Sequence, residues 1–197
     1  MIDIKALCYR YRNNTNLALD HLNLSINKGD FLALLGPNGC GKTTLISILI
    51  GLLKPNSGHV FINDINALKH FKQVKHQIGI VPQETALYDA LSLEENLKLF
   101  GKLYGLNNKS IKEQITRCIT IADLEDVRRQ PIHQYSMGMR RRANLAISLI
   151  QSPNMLFLDE PTVNIDPHSR ELIFKTLKRI NQEGVTLLYT THYLDEV

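Results

Sequence analysis

The chain of 197 residues has few cysteines and no apolar stretch that approaches a membrane span, which needs about 20 residues. Cys8, Cys40 and Cys118 have neither the spacing of a metal site nor the even number of a disulfide framework. The seven histidines show no ligand pattern either. The charged residues Asp3 and Lys5 come too soon after Met1 for a secretory signal. We therefore expect a cytoplasmic protein, so any membrane-spanning partner must be a separate polypeptide.

The chain also has little excess of positive over negative residues, since its formal net charge is only +4. This small excess is weak support for a nucleic-acid partner, and we expect none. The densest basic run is 140–142, three consecutive arginines. Since consecutive residues spread around a helix, we predict that this run is mostly a solvated face. A hydrophobic content of 44% predicts one substantial core and one folding unit over 1–197.

A glycine-rich loop follows an apolar strand predicted at Phe31–Leu35 and precedes an apolar helix predicted from about Thr43 to Leu53. This order is the setting of a phosphate-binding loop. The glycines let successive N–H groups point at phosphate oxygens, and the positive end of the helix reinforces them. Lys42 reaches the β- and γ-phosphates, and Thr43 offers its hydroxyl to Mg²⁺. The predicted nucleotide contacts here are Gly36, Pro37, Asn38, Gly39, Cys40, Gly41, Lys42, Thr43 and Thr44. The alternative, a turn with an incidental lysine, is disfavoured by the strand and helix on either side.

A second apolar strand, predicted at Met155–Leu158, ends in two carboxylates, Asp159 and Glu160. Ligands bind at the carboxyl ends of the strands of a parallel sheet, so both carboxylates are expected beside the phosphate loop. Asp159 is predicted to hold Mg²⁺, and Glu160 to orient and deprotonate the water that attacks the γ-phosphate. An adjacent Asp-Glu pair is ordinarily a solvated loop, but the uncharged strand before it favours the functional interpretation.

With these two motifs the chain resembles the nucleotide-binding subunit of an ATP-binding cassette (ABC) transporter over nearly its whole length. The resemblance implies that Tyr11 stacks on adenine, with Tyr9 as the fallback, whereas the alternative is an ordinary strand tyrosine. It also implies that Gln83 joins Mg²⁺ and the attacking water to a helical subdomain. The position of Gln83 between the two nucleotide motifs is what supports this assignment.

Residues 135–139 stand where this family has its signature, usually Leu-Ser-Gly-Gly-Gln. Ser136 and Gly138 match the positions that the resemblance assigns to a γ-phosphate. Met137 replaces the first glycine and Met139 replaces the glutamine, so the sequence departs from the family pattern at both. In the alternative interpretation Ser136 only caps the following helix. Both roles are compatible, because a helix N-terminus also attracts anions.

Two further residues take their interpretation from the resemblance. Asp166 matches the aspartate of the loop through which two such subunits communicate, but before Pro167 it is also a candidate helix N-cap. His192 follows a predicted strand at 185–191 and matches the family's switch histidine, whereas a lone histidine at a strand end is more often structural. The predicted catalytic residues are Lys42, Gln83, Glu160 and His192, and the predicted metal ligands are Thr43, Gln83 and Asp159.

The motifs and the periodicity predict an α/β fold. It has a P-loop NTPase core with a mainly parallel sheet, a small N-terminal antiparallel β layer and an inserted helical subdomain. We expect the nucleotide-binding core at 1–83 and 152–197 and the helical subdomain at 84–151. Residues 92–95 form a capping box that predicts a helix start. Family members normally continue past the switch histidine with a helix and two more strands, so an end at Val197 indicates either a shortened protein or a truncated product.

The resemblance implies an ATP-hydrolysing subunit with ATP and Mg²⁺ as cofactors, and segment 91–106 resembles subunits of exporters. Two subunits, identical or different, would form a head-to-tail dimer that drives an integral membrane permease. The protein would be cytoplasmic and peripheral on the inner face of the cell membrane. One alternative is a soluble ABC ATPase of translation or DNA maintenance, which usually carries two fused cassettes or a coiled-coil insert. The other is a binding-only regulatory module, which the joint presence of the catalytic residues disfavours.

Overall fold

Two β-sheets and the helices around them make up the protein in the computed structural model, which describes residues 2–12 and 14–196. The predictions that concern Met1 and Val197 fall outside the described residues. The strands are β1 (Ile2–Tyr9), β2 (Leu19–Ile26), β3 (Phe31–Leu35), β4 (Ser57–Ile62), β5 (Ile65–Asn66), β6 (Ile78–Val81), β7 (Met155–Asp159) and β8 (Thr186–Thr191). The α-helices are α1 (Lys42–Leu49), α2 (Ala67–Val74), α3 (Leu93–Leu103), α4 (Asn108–Ala122), α5 (Met137–Ser148) and α6 (Pro167–Gln182).

The two sheets have different topologies. One is antiparallel with the order β2-β1-β4-β5, and the other is parallel with the order β3-β8-β7-β6. β7 and β8 lie in the middle of the parallel sheet and are buried along their whole length. Central parallel strands are covered on both faces, which is why β7 is apolar up to Asp159 and β8 consists of leucines, a tyrosine and threonines. The predicted fold class, an α/β core with a small antiparallel layer, is confirmed.

Strand register brings the carboxyl ends of three parallel strands to one edge of the sheet. Leu35 at the end of β3 pairs with Thr191 at the end of β8, and Asp159 at the end of β7 pairs with Thr190. The segments that follow β3, β7 and β8 therefore begin side by side. Because the ligand crevice of a parallel sheet lies at this edge, the fold assembles the predicted site there.

The parallel sheet has a hydrophobic core on each face. Leu156 and Leu158 of β7 pack with the buried side chains of α4, α5 and α6, whereas Met155 and Phe157 pack with those of α1 and the antiparallel sheet. The alternation follows from the two-residue period of a strand. Within the described ranges, no helix has the length and apolarity needed to cross a bilayer.

The helices α3, α4 and α5 fall within 84–151, where the helical subdomain is predicted. The capping box at the start of α3 is confirmed. Ser92 Oγ accepts the N–H of Glu95 at 3.3 Å, and Glu95 Oε2 accepts the N–H of Ser92 at 2.8 Å. The division of the chain into subdomains at 84 and 151 stays a prediction.

Helix α1 is shorter than predicted, since it ends at Leu49 and not near Leu53. Gly51 has a φ angle of 75°, which is outside the helical region. The N–H groups of Leu52 and Leu53 both turn back to the carbonyl of Ser47. The apolar character of Leu52 and Leu53 suggested a continuing helix, but the glycine provides the left-handed residue that ends helices.

Candidate functional site

The phosphate-loop sequence forms a tight turn between β3 and α1. Gly36 N–H donates to Thr191 O at 3.2 Å, so the start of the loop is bonded to the end of β8. Gly39 and Gly41 have φ angles of 81° and 100°, in the left-handed region that side chains disfavour. A Cβ at Gly41 would lie 2.4 Å from Ala18 O. Only glycine therefore fits where the loop passes the backbone before β2.

Lys42 and the start of α1 form a site suited to phosphate. Lys42 is only 5% exposed, and its Nζ donates to Gly36 O at 2.7 Å and to Pro37 O at 3.0 Å. The N-cap residue, Gly41, has no side chain to accept the first helical N–H groups, and the first turn has no acidic residue. An uncapped helix N-terminus beside a buried cation fits the phosphate groups of a nucleotide.

Glu160 is the residue at which the predicted catalytic side chains meet. Its carboxylate accepts a hydrogen bond from Gln83 Nε2 at 3.4 Å. It also lies 3.4 Å from His192 Nδ1 and 3.5 Å from Lys42 Nζ. Glu160 is 8% exposed and has a φ angle of 48°, an unusual backbone for a residue other than glycine. The structure thus brings together all four residues, and their individual catalytic roles stay predictions.

Asp159 is held by a residue that sequence analysis missed, Thr190 on the neighbouring strand. Thr190 Oγ1 donates to Asp159 Oδ1 at 2.8 Å and accepts the N–H of Glu160 at 3.0 Å. Threonine is an ordinary strand residue, so only its pairing with Asp159 across the sheet reveals this contact. Thr43 lines the adjacent cavity. A carboxylate and a hydroxyl are oxygen donors of the kind that Mg²⁺ takes, so the residues fit this ion.

A cavity of about 520 Å³ joins the phosphate loop to Gln83, Glu160 and Tyr11. Tyr11 OH lies 3.0 Å from Thr44 Oγ1, and the Tyr11 ring packs edge-on against Tyr9 with centroids 4.9 Å apart. Tyr11 thus lines the cavity, whereas Tyr9 is not among its described lining residues. A larger groove, of about 680 Å³ beside α4 and α6, contains none of the site residues predicted from the sequence.

Comparison with known proteins decides the family. The family described as ABC transporter matches residues 19–163, more than half of the chain. The chain belongs to this family. A linearmycin resistance ATP-binding protein of Bacillus subtilis is 42% identical over 176 residues, which cover 89% of this chain and 57% of the relative. The resemblance inferred from the motifs is therefore confirmed.

Two further comparisons show how far this ABC transporter family chain resembles known members. A Nod factor export ATP-binding protein I of Ralstonia nicotianae is 35% identical over 196 residues, which cover 100% of this chain and 60% of the relative. The chain thus spans less than two thirds of these relatives. An ATP-binding cassette solved as a dimer, in a post-hydrolysis state with ADP and Pi, has a TM-score of 0.86 at 27% identity. That match covers 99% of this chain and 89% of the solved one.

The ABC signature region lies at the start of α5. Ser136 Oγ accepts the N–H of Met139 at 3.2 Å, so the helix-cap interpretation is correct. Gly138 faces α6, where an added Cβ would lie 2.2 Å from Ser169 Oγ. Met137 is 58% exposed and occupies no crowded position. Neither Ser136 nor Gly138 is among the described residues that line the Lys42 cavity of the same chain.

Asp166 of this ABC family chain caps α6, as its position before Pro167 predicted. Its Oδ1 accepts the N–H of Ser169 at 2.9 Å. Hydrogen bonds from the backbone and the side chain of Ser169 hold the pKa of Asp166 below its usual value. Asp166 is exposed and does not line the cavity beside Lys42. Its contact with a second subunit stays a prediction.

The prediction that the arginine run 140–142 is a solvated face is wrong for two of its three residues. Arg141 is buried, and its Nη1 donates to Pro82 O at 2.9 Å and to Gln83 O at 2.7 Å. Burial lowers the pKa of Arg141. Arg141 thus connects α5 to the backbone of Gln83, a contact that the sequence did not reveal.

Arg142 is also buried and serves a different neighbour. Its Nη1 donates to Ala122 O at 2.8 Å and to Asp123 O at 2.7 Å, at the end of α4. Arg140 is the more accessible member of the run, and its Nη1 lies 3.1 Å from Asp89 Oδ1. Arg141 and Arg142 are buried because α5 packs against β6 and three other helices, so most of this helix is not in contact with solvent.

Proposed function

We propose that this chain binds ATP and hydrolyses it to ADP and phosphate as the ATP-binding part of a membrane exporter. The observation that carries the proposal is the buried carboxylate of Glu160, which faces Lys42, Gln83 and His192 beside a phosphate loop. Two relatives are named for linearmycin resistance and for Nod factor export. These names support export over a soluble role in translation or DNA maintenance.

The phosphate loop and Lys42 hold the triphosphate, and the Lys42 ammonium exchanges its bonds to loop carbonyls for bonds to phosphate oxygens. Glu160 orients the attacking water and accepts its proton. His192, with Nδ1 towards Glu160, presents Nε2 to the γ-phosphate. Mg²⁺, when bound, neutralises phosphate charge, and Thr43, Asp159 and Gln83 would hold it.

We further propose that Tyr11 stacks on adenine and that two chains, identical or different, close head to tail. Each site then combines the phosphate loop of one chain with Ser136 and Gly138 of the other. The position of both residues outside the Lys42 cavity of their own chain supports this arrangement, and a similar cassette was solved as a dimer. The dimer lies in the cytoplasm, peripheral on the inner face of the cell membrane, and drives an integral membrane permease. Asp166 contacts the second subunit.

Glu160→Gln tests the catalytic part, because the amide keeps the size of the side chain but cannot take the proton. We expect MgATP binding to be retained and turnover to fall by roughly 10²-fold or more, the usual scale for loss of a general base. Glu171→Gln, which changes an exposed glutamate of α6, is the matched control and should hydrolyse at the wild-type rate. Near-normal hydrolysis by a folded Glu160→Gln protein overturns the assignment.

Purification from membranes tests the transport part. A polytopic protein that co-purifies with the chain, and is released together with it by detergent, is the expected result. Recovery of the chain with ribosomes or DNA, and without a polytopic protein, contradicts the exporter proposal and favours the soluble alternative.

A further inference from the structure

Glu196 is a buried carboxylate near the end of the described chain, with its side chain only 1% exposed. Glu196 Oε1 accepts a hydrogen bond from Thr162 Oγ1 at 2.6 Å, and its Oε2 accepts one from Thr191 Oγ1 at 2.5 Å. Each carboxylate oxygen therefore has its own hydroxyl donor. Hydrogen bonds from a hydroxyl to a carboxylate are of this short length and are about twice as strong as neutral ones.

The two threonines flank the proposed catalytic residues in the sequence. Thr162 is two positions after Glu160, and Thr191 directly precedes His192. Both threonines are buried, so neither hydroxyl has ready access to water as a substitute acceptor. The carboxylate of Glu196 thus bridges the segment after β7 and the end of β8 through a single side chain.

A third element contacts the same carboxylate. Arg170 Nε lies 3.6 Å from Glu196 Oε1, and it has no hydrogen-bond partner within the described part of the chain. Arg170 belongs to the first turn of α6, the helix that Asp166 caps. Its guanidinium also lies 5.0 Å from the ring centroid of Tyr193. The charge of Glu196 is therefore balanced by an arginine on the helix that starts at the proposed subunit contact.

We propose that Glu196 is a positioning residue for ATP hydrolysis. Its carboxylate holds the segment after Glu160 and the end of β8 at one separation, so that Glu160 and His192 stay aligned. The inference rests on the catalytic roles proposed above for these two residues. A misplacement of about 1 Å in such a group can lower a rate by roughly 10²-fold, so a residue that touches no substrate can still control turnover.

Glu196→Gln is the first test, because it removes the negative charge that faces Arg170 and replaces one acceptor oxygen with an amide nitrogen, which cannot accept the hydrogen bond of a threonine hydroxyl. That link can then form only with the hydroxyl as acceptor, which makes it a weaker, neutral hydrogen bond. We expect kcat to fall by about 10- to 100-fold while the KM for MgATP changes by about twofold or less. Asp195→Asn is the matched control. Asp195 contacts the same Arg170 at 3.4 Å, but its side chain is largely exposed, and among the described residues it has no hydrogen bond to either threonine. This variant should keep the wild-type kcat.

Thr191→Val provides an independent test from the other side of the link, and it applies even where Glu196→Gln does not fold. The single variant should lower kcat to a similar extent. The double variant should lose less than the product of the two single effects, because both changes disrupt the same bridge. A wild-type kcat in either folded single variant, or a loss explained entirely by KM, overturns the inference.

Glu160→Gln measured in the same assay separates this inference from the proposed function. Loss of turnover in Glu160→Gln, with wild-type kcat in Glu196→Gln, refutes only the positioning role. Retained turnover in Glu160→Gln refutes the catalytic assignment on which that role depends.

Discussion

Replacement of Thr190 by valine should both destabilise the fold and slow hydrolysis. Valine keeps the shape of a fully buried side chain but lacks the hydroxyl. The Glu160 N–H then loses its acceptor, and Asp159 Oδ1 loses its donor. An unsatisfied buried group costs about 1–3 kcal/mol, and a lost hydrogen bond to a charged group about 1.5–3 kcal/mol. Since terms within one network do not add, we expect the free energy of unfolding to fall by about 2–4 kcal/mol.

Urea denaturation of wild type, Thr190→Val and Thr190→Ser measures this change. Serine keeps the hydroxyl and loses one methyl group, so it should cost only about 1 kcal/mol. Turnover, measured where all three proteins are folded, should fall about tenfold for valine and about twofold or less for serine, because only valine releases both carboxylate residues. A valine variant within about 0.5 kcal/mol of wild type, the range of neutral surface changes, refutes the reasoning.

Three further predictions concern the phosphate loop, the buried arginine and the shared site. Alkylation of the exposed Cys40 should block ATP binding, because an adduct collides with the phosphates, and MgATP should protect it. Cys8 and Cys118 are buried and should label slowly, and burial raises the pKa of the Cys118 thiol to about 12. Arg141→Met should lower kcat about tenfold with little change in ATP affinity, because the carbonyls of Pro82 and Gln83 lose their donor. Lys42→Ala and Ser136→Arg chains should each be nearly inactive alone, but a mixture of the two should recover part of the ATPase rate, because one site of the heterodimer is intact. The assay measures the ATPase rate as a function of the mixing ratio.

Each of these predictions has a contradicting result. Equal labelling of Cys40 with and without MgATP contradicts its contact with the nucleotide. Arg140→Met is the matched control for Arg141→Met, because Arg140 pairs with Asp89 near the surface, and equal kcat values in the two variants contradict the role of Arg141. Full activity of Ser136→Arg by itself contradicts a site shared between chains and leaves Ser136 as a helix cap.

Much of the fold follows from short local patterns. The strands β3 and β7 were predictable because each is an apolar run followed by residues that are unfavourable in a strand. These residues are Gly36-Pro37 after β3 and Asp159-Glu160 at the end of β7. Since parallel strands share one ligand-binding edge, the same patterns predicted that Lys42 and Glu160 meet. The capping box before α3 was equally local.

The features that the sequence did not predict depend on contacts between distant residues. Thr190 and Arg141 have ordinary local settings, a strand threonine and a helical arginine, and acquire their partners only when the sheet and α5 are packed. Glu196 gains its partners in the same way, since Thr162 is 34 positions away. The end of α1 was missed for a local reason, because the apolar Leu52 and Leu53 outweighed the signal of Gly51.

The signature region has two adjacent positions with opposite tolerance to change. The Met137 side chain extends into solvent, so this chain can replace it without moving any neighbour. Any atom added at Gly138 pushes against Ser169, and so displaces α6 together with the loop that begins it at Asp166. A directed-evolution library aimed at altered turnover should therefore randomise residue 137 and keep residue 138 as glycine. Helices α5 and α6 can approach this closely because Gly138 has no side chain.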